Sequence, residues 1–299
     1  MSNRSLIPAA LIALSIAASA CPAAAQDTSE QRYKAVGKQA GAPTLVERYG
    51  PDDLRSGQLR IPKGKGPFPV AVIVHGGCWT ASYDTMAGIA GVADALTKRG
   101  IATWNIEYRR LGDPGAGWPG TFEDIGAGID HLAILARRYP LDLKRVTIIG
   151  HSSGAHLALW GASRGKLGKA YTPRIRPVSA VQIDGPASLA PFIGFDRQAC
   201  GKPVITGLMG GTPKDRAAEY ALASPADHLP LGIRQLLVQG AFTSFMAPYA
   251  AAARKAGDAV EVLQGTEDHF DVVTPGTAVG DKVVAFIADR AFATGPAKR

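Results

Sequence analysis

Residues 145–154, which run Arg145-Val146-Thr147-Ile148-Ile149-Gly150-His151-Ser152-Ser153-Gly154, constrain this chain more than any other stretch. Val146 to Ile149 is a short β-branched run, expected as a buried strand, and Ala155 to Trp160 reads as a helix packed on it. A strand that turns through Gly-x-Ser-x-Gly into a helix is a nucleophile elbow. The turn is too tight for side chains at the flanking positions, hence the glycines. It lifts the Ser152 hydroxyl above the sheet edge and aims the Ser153 N–H and the helix N-terminus at the same point.

A second motif lies upstream. Val70-Ala71-Val72-Ile73-Val74 is continuously apolar, as a central parallel strand should be, and it delivers His75-Gly76-Gly77-Cys78-Trp79. Glycines after such a strand let the backbone approach a substrate carbonyl with no side chain in the way. Either motif alone could be an ordinary turn. Two in the right order, each at the end of an expected strand, make coincidence a poor explanation.

From about Arg60 to Phe286 the chain resembles the esterase and kynurenine-formamidase-like branch of the α/β-hydrolases. The specific matches are His75 to Trp79 and Gly150 to His156; Glu107-Tyr108-Arg109, Ser224 to His228 and His269-Phe270 match more softly. The resemblance implies a serine hydrolase of small esters or amides that needs no cofactor and no metal. Independently, no histidine pair has zincin spacing and no glycine-rich loop ends in the Lys-Ser/Thr of a phosphate cradle.

The rest of the chain alternates strands and helices, which predicts an α/β fold, the α/β-hydrolase fold, with a mostly parallel central sheet and helices on both faces. Expected strands are Gly57 to Ile61 (an antiparallel edge), Ile101 to Tyr108, Val178 to Ile183, Gln235 to Gln239 and Val260 to Leu263. Expected helices run Met86 to Lys98, Phe122 to Arg138 with Thr121 as cap, and Val279 to Ala291. Residues 44–299 form the expected hydrolase domain, with a cap-like insertion around 189–228. Phe192, Phe195, Leu208 and Met209 of that insertion suggest an apolar acyl or aryl pocket.

Residues 1–25 read as a secretory signal: Arg4, an apolar run from Leu6 to Ala20, and a small-residue site at Ala23-Ala24-Ala25. The run is too short for a comfortable membrane span, and no other segment could cross a bilayer. This places the mature protein in the periplasm or outside the cell. The alternative is a lipoprotein anchored at Cys21, although the residue three before it is Ala18 and not leucine. Residues 26–43 read as a flexible polar lead-in. Cys78 and Cys200 remain after cleavage; they could pair in an oxidising compartment or stay as buried thiols. The formal charge of +8, or +7 without Arg4, is scattered without aromatic interleaving, which argues for a solvated surface and against a nucleic-acid partner.

The expected chemistry follows. In this fold the triad runs Ser, acid, His along the chain, and the histidine follows the last strand. Of six histidines only His228 and His269 lie well downstream of the elbow helix, and two further strands follow His228, so His269 is the expected base. Gly76 or Gly77, with Ser153, would form the oxyanion hole. The acid is harder to choose. The family usually carries an Asp after the strand that is here Gln235 to Gln239, yet Gly240 to Pro248 contains no carboxylate. Asp184, at the end of the previous strand, is the first choice. Glu267, Asp268 and Asp271 beside the base are alternatives, as is a Ser152–His269 dyad. The functional expectation is a serine esterase acting through an acyl-enzyme on a small-molecule ester or amide. An arylformamidase-like amide hydrolase, or a degenerate hydrolase kept as a binding protein, are the other readings.

Overall fold

The computed structural model describes residues 28–293. Eight strands form one sheet: β1 Leu45–Arg48, β2 Ser56–Arg60, β3 Phe68–Val74, β4 Ala102–Ile106, β5 Leu141–His151, β6 Ser179–Ile183, β7 Arg234–Gln239 and β8 Val260–Gln264. Their order is β1-β2-β4-β3-β5-β6-β7-β8, parallel from β4 to β8 and antiparallel at β1 and β2. Among the described residues the α-helices are α1 Ser29–Lys38, α2 Ala90–Lys98, α3 Gly120–Asp130, α4 Leu132–Leu135, α5 Ser153–Ser163, α6 Phe195–Cys200, α7 Ile205–Met209, α8 Ala217–Ala223, α9 Thr243–Lys255 and α10 Ala278–Arg290. The α/β-hydrolase architecture read from the sequence is the one observed.

The period of two in each strand divides the core between the sheet faces. Val70, Val72 and Val74 of β3 and Ile148 of β5 meet α3 and α5 through Phe122, Ile125 and Leu157. Ala71, Ile73 and Ile149 point the other way, toward Val92 and Leu96 of α2 and Val283 and Ile287 of α10. Because both faces are covered, β3 is apolar throughout, and its neighbours are buried on both faces with only a few polar side chains such as Asn105 and Thr147.

Several expectations are corrected. Gly57 to Ile61 is not the edge: β2 pairs with β4, Leu59 opposite Trp104, and β1 lies outside it. The helix expected over 122–138 breaks after Asp130 into α3 and α4. Thr121 is not its cap; the hydroxyl sits inside α3 and donates to the Arg109 carbonyl at 2.7 Å. The largest correction concerns 26–43, whose described part is not a flexible lead-in. It contains α1, which begins at a reciprocal Thr28–Gln31 capping box and buries Tyr33 against the α2 and α10 side of the sheet.

Candidate active site

Ser152 lies between β5 and α5 with φ 56° and ψ −124°, backbone that a non-glycine residue adopts only where the surroundings impose it. The constraint is visible at Gly154, where any Cβ would strike the carbonyls of Val74 and His75. The elbow therefore rests directly on the end of β3. Ser153 opens α5, so its N–H is among the first-turn donors that lack an intrahelical acceptor.

The loop after β3 is braced from behind. His75 is fully buried; its Nε2 lies 2.7 Å from Glu107 Oε1, its ring stacks on Tyr108 at 4.4 Å, and the Tyr108 hydroxyl donates to the His75 carbonyl at 2.9 Å. Burial alone would raise the Glu107 pKa, but its contact with His75 and the Arg110 guanidinium hold it below the usual range. Arg109 serves the framework, gripping Asp124 at 2.7 Å through both Nε and Nη2. The loop places Gly77 on the cavity, with Ser152 and Ser153; Gly76 is buried and backs onto His151 and Ser152 instead.

Asp184 directly follows β6, at φ 42° and with no exposure to solvent. Its Oδ2 lies 2.7 Å from Nδ1 of His269, on the loop after β8. The carboxylate also accepts N–H groups from Ala241 (3.0 Å) and Phe242 (2.8 Å). The loop after β7, which lacks a carboxylate of its own, thus uses its backbone to cradle one from the neighbouring strand. Gly240 is part of that fit, since a Cβ there would sit 2.7 Å from Asp184 Cγ.

The other candidate acids are placed elsewhere. Asp268 accepts the N–H groups of Phe270 and Asp271 at 2.9 and 2.8 Å and so shapes the turn that carries His269. Asp271 pairs with Arg32 at 2.9 Å, and Glu267 is exposed. His228 donates through Nε2 to the Ala221 carbonyl at 2.8 Å, far along the chain from the base loop.

Two contributors escaped the sequence reading, and a third, the pairing of Cys78 with Cys200, was one of two alternatives it left open. His151 lies 2.8 Å through Nε2 from the His269 carbonyl, with the two rings 4.5 Å apart. Burial pushes its pKa well below the ordinary value, with the neighbouring His269 acting in the same direction, which leaves a neutral ring able to donate to that carbonyl. Tyr33 of α1 packs on Phe270 and donates to Asp84 Oδ2 at 2.9 Å, joining the base loop to the segment beside Gly77. A disulfide joins Cys78 to Cys200, with Cα atoms 5.9 Å apart.

These groups surround a cavity of about 200 Å³ lined by Ser152, Ser153, Gly77, His269, the disulfide and Tyr33, with Phe192, Phe242 and Phe270 on its apolar side. Phe195 packs against Phe192 and Phe242, behind that wall. Leu208 and Met209, expected at the pocket, lie in the hydrophobic core instead. Among the described residues no cluster of His, Cys, Asp or Glu could hold a metal ion. No described helix is long and apolar enough to cross a membrane.

The fold has counterparts among solved structures. It is similar to that of an inhibited esterase B from Lactobacillus rhamnosis, with a TM-score of 0.70 and 17% identity, covering 86% of this chain and 90% of that one. A truncated carbohydrate esterase from gut microbiota superposes with a TM-score of 0.68 and 19% identity, covering 85% of this chain and 98% of the other. In sequence, esterase EstD of Thermotoga maritima is 31% identical over 135 residues, 43% of this chain and 32% of that protein. A probable isoprenylcysteine alpha-carbonyl methylesterase of Arabidopsis thaliana is 31% identical over 111 residues, 37% of this chain. The chain thus aligns with only 22% and 32% of the lengths of these two curated relatives. The sequence model of BD-FAE matches residues 58–240, from β2 through the loop after β3, the Ser152 turn and Asp184 to Gly240, and the chain belongs to the BD-FAE family.

Proposed function

We propose that this chain is a serine esterase that cleaves small carboxylic esters through an acyl-enzyme. The observation that carries the reading is the 2.7 Å contact between Asp184 and His269, in a cavity that also contains Ser152. With Nδ1 turned to the carboxylate, Nε2 of His269 is the nitrogen left to take the Ser152 proton. Ser152 Oγ then attacks the ester carbonyl. The N–H groups of Gly77 and Ser153 receive the developing oxyanion, each such donor being worth roughly 3 kcal/mol. His269 returns the proton to the departing alcohol, and water, activated by the same imidazole, releases the acid.

The buried Asp184, fully hydrogen-bonded and aimed at the base, supports an active enzyme over a degenerate binding protein. Formamidase-type amide cleavage ranks second, because an alcohol leaves more readily than an amine. Purified protein should hydrolyse p-nitrophenyl acetate, and Ser152→Ala should reduce turnover to background while its circular dichroism stays unchanged. Equal activity in the two proteins would overturn the reading.

Residues 1–25 lie outside the described residues. An exported protein is supported by their sequence and by the Cys78–Cys200 disulfide, since such bonds persist in oxidising compartments. Mass spectrometry of the exported protein should find an N-terminus at Gln26. A diacylated Cys21 would instead make it a membrane-anchored lipoprotein.

A further inference from the structure

Gly77, Cys78 and Trp79 have φ angles of 103°, 53° and 52° in succession. Glycine adopts such backbone freely, but Cys78 and Trp79 carry a Cβ that disfavours it. A loop with two such residues in a row relaxes unless its surroundings hold it. Local hydrogen bonds do part of this: Leu111 N–H donates to the Trp79 carbonyl at 2.7 Å and Thr80 Oγ1 to the Cys78 carbonyl at 3.0 Å. The Trp79 indole N–H adds nothing, being buried without a partner among the described residues.

Thr80 N–H also donates to the Gly77 carbonyl at 2.9 Å, and the Trp79 ring is buried against His156. At Cys78 the hold is covalent. Cys200 ends α6, a short helix that is itself pinned at both sides. Asp196, nearly inaccessible to solvent, accepts the N–H groups of Gly194, Val204 and Ile205 at 3.0, 2.8 and 3.0 Å. The Tyr83 hydroxyl donates to the Cys200 carbonyl. The disulfide thus ties a strained loop to a fixed anchor.

We infer that Cys78 and Cys200 are a positioning pair for the proposed esterase reaction. Their bond holds the loop in the left-handed backbone that presents the Gly77 N–H to the oxyanion. The inference rests on the esterase reading and adds a cross-link whose effect falls on the transition state. A disulfide that merely stabilised the fold would change the unfolding midpoint and leave turnover per folded molecule alone. A positioning bond acts on kcat, because the oxyanion contact strengthens only as the carbonyl becomes tetrahedral.

The test is reduction of the folded chain by a small dithiol, which takes two electrons per disulfide and leaves two cysteine thiols and the oxidised reagent. Release of those two thiols is counted, and the folded fraction is read by circular dichroism in the same sample. With p-nitrophenyl acetate, kcat per folded molecule should fall about tenfold or more while KM stays within about twofold. Cys200→Ser should show the same loss without reagent and no further response to the dithiol. Complete thiol release with unchanged kcat per folded molecule, or a loss that only tracks unfolding, overturns the inference. Failure of the esterase reading is separate: the oxidised wild type would then be no more active than Ser152→Ala.

Discussion

Asp184 and His269 are separated by 85 positions in the chain and by 2.7 Å in the structure, and the carboxylate that meets the imidazole comes from β6 while β7 contributes only backbone donors. Asp184→Asn should therefore lower kcat by about three to four orders of magnitude, the usual cost of losing a triad acid. KM should change little. Asp268→Asn, which alters only the turn below the base, is the contrast and should stay within about tenfold of wild type. The reverse order of effects would show that the acid lies beside the base.

Gly240→Ala should impair catalysis without replacing a titratable residue. The new Cβ would sit 2.7 Å from Asp184 Cγ, so either the carboxylate or the loop must move. A displacement of the acid by a few tenths of an ångström to 1 Å predicts a loss of about ten- to a hundredfold in kcat. Steady-state kinetics beside a thermal melt would separate this from a general loss of stability.

Much of this site was legible in the residues because its geometry is local. An elbow fixes its serine through the glycines next to it, and His269 follows from strand order alone. Asp184 could be ranked first only because a charge after an apolar strand needs a partner. The cradle that holds it against His269 could not be read, since main-chain donors at Ala241 and Phe242 leave no mark on the sequence. Helix α1 was missed because its described residues bury little beyond Tyr33 and Gly37, so it has no apolar stripe. The Thr28–Gln31 capping box was the signal that could have revealed it. The Cys78–Cys200 pair spans 122 positions and is fixed by tertiary packing, which spacing does not encode.

Stability should fall on mild acidification. Burial lowers the pKa of His156 to about 4, against the smaller opposing effect of its hydrogen bond to the Ala223 carbonyl, and burial also holds His151 well below the ordinary value. Below about pH 6.5 the unfolded chain binds protons that the native state refuses, so the native state loses ground as pH decreases. For His156 this window runs from about pH 6.5 down to about 4. Each such histidine contributes a slope of up to roughly 1.4 kcal/mol per pH unit. Urea midpoints between pH 7 and 4.5 would measure it. His156→Phe should flatten the profile; an unchanged slope would mean that the ring is protonated in the native state.

Tyr33 should matter to both stability and binding. Tyr33→Phe removes the hydrogen bond to Asp84 and should cost about 1 kcal/mol. Tyr33→Ala empties a nearly fully buried site and should cost about 3 kcal/mol or more. Because the ring lines the cavity beside Phe270, the alanine variant should also raise KM for p-nitrophenyl esters. Denaturant titration and KM values on the same preparations would check both effects.

The backbone cradle around Asp184 has a consequence for how this active site can diverge. A carboxylate held by peptide N–H groups places no demand on side-chain identity at position 241, where nearly every amino acid supplies the same donor. Proline is the exception, having no N–H to give. Selection on this loop would therefore register as exclusion of one residue type and not as retention of any. Searches that recognise a catalytic acid by the letter expected after β7 would then discard functional enzymes as broken ones.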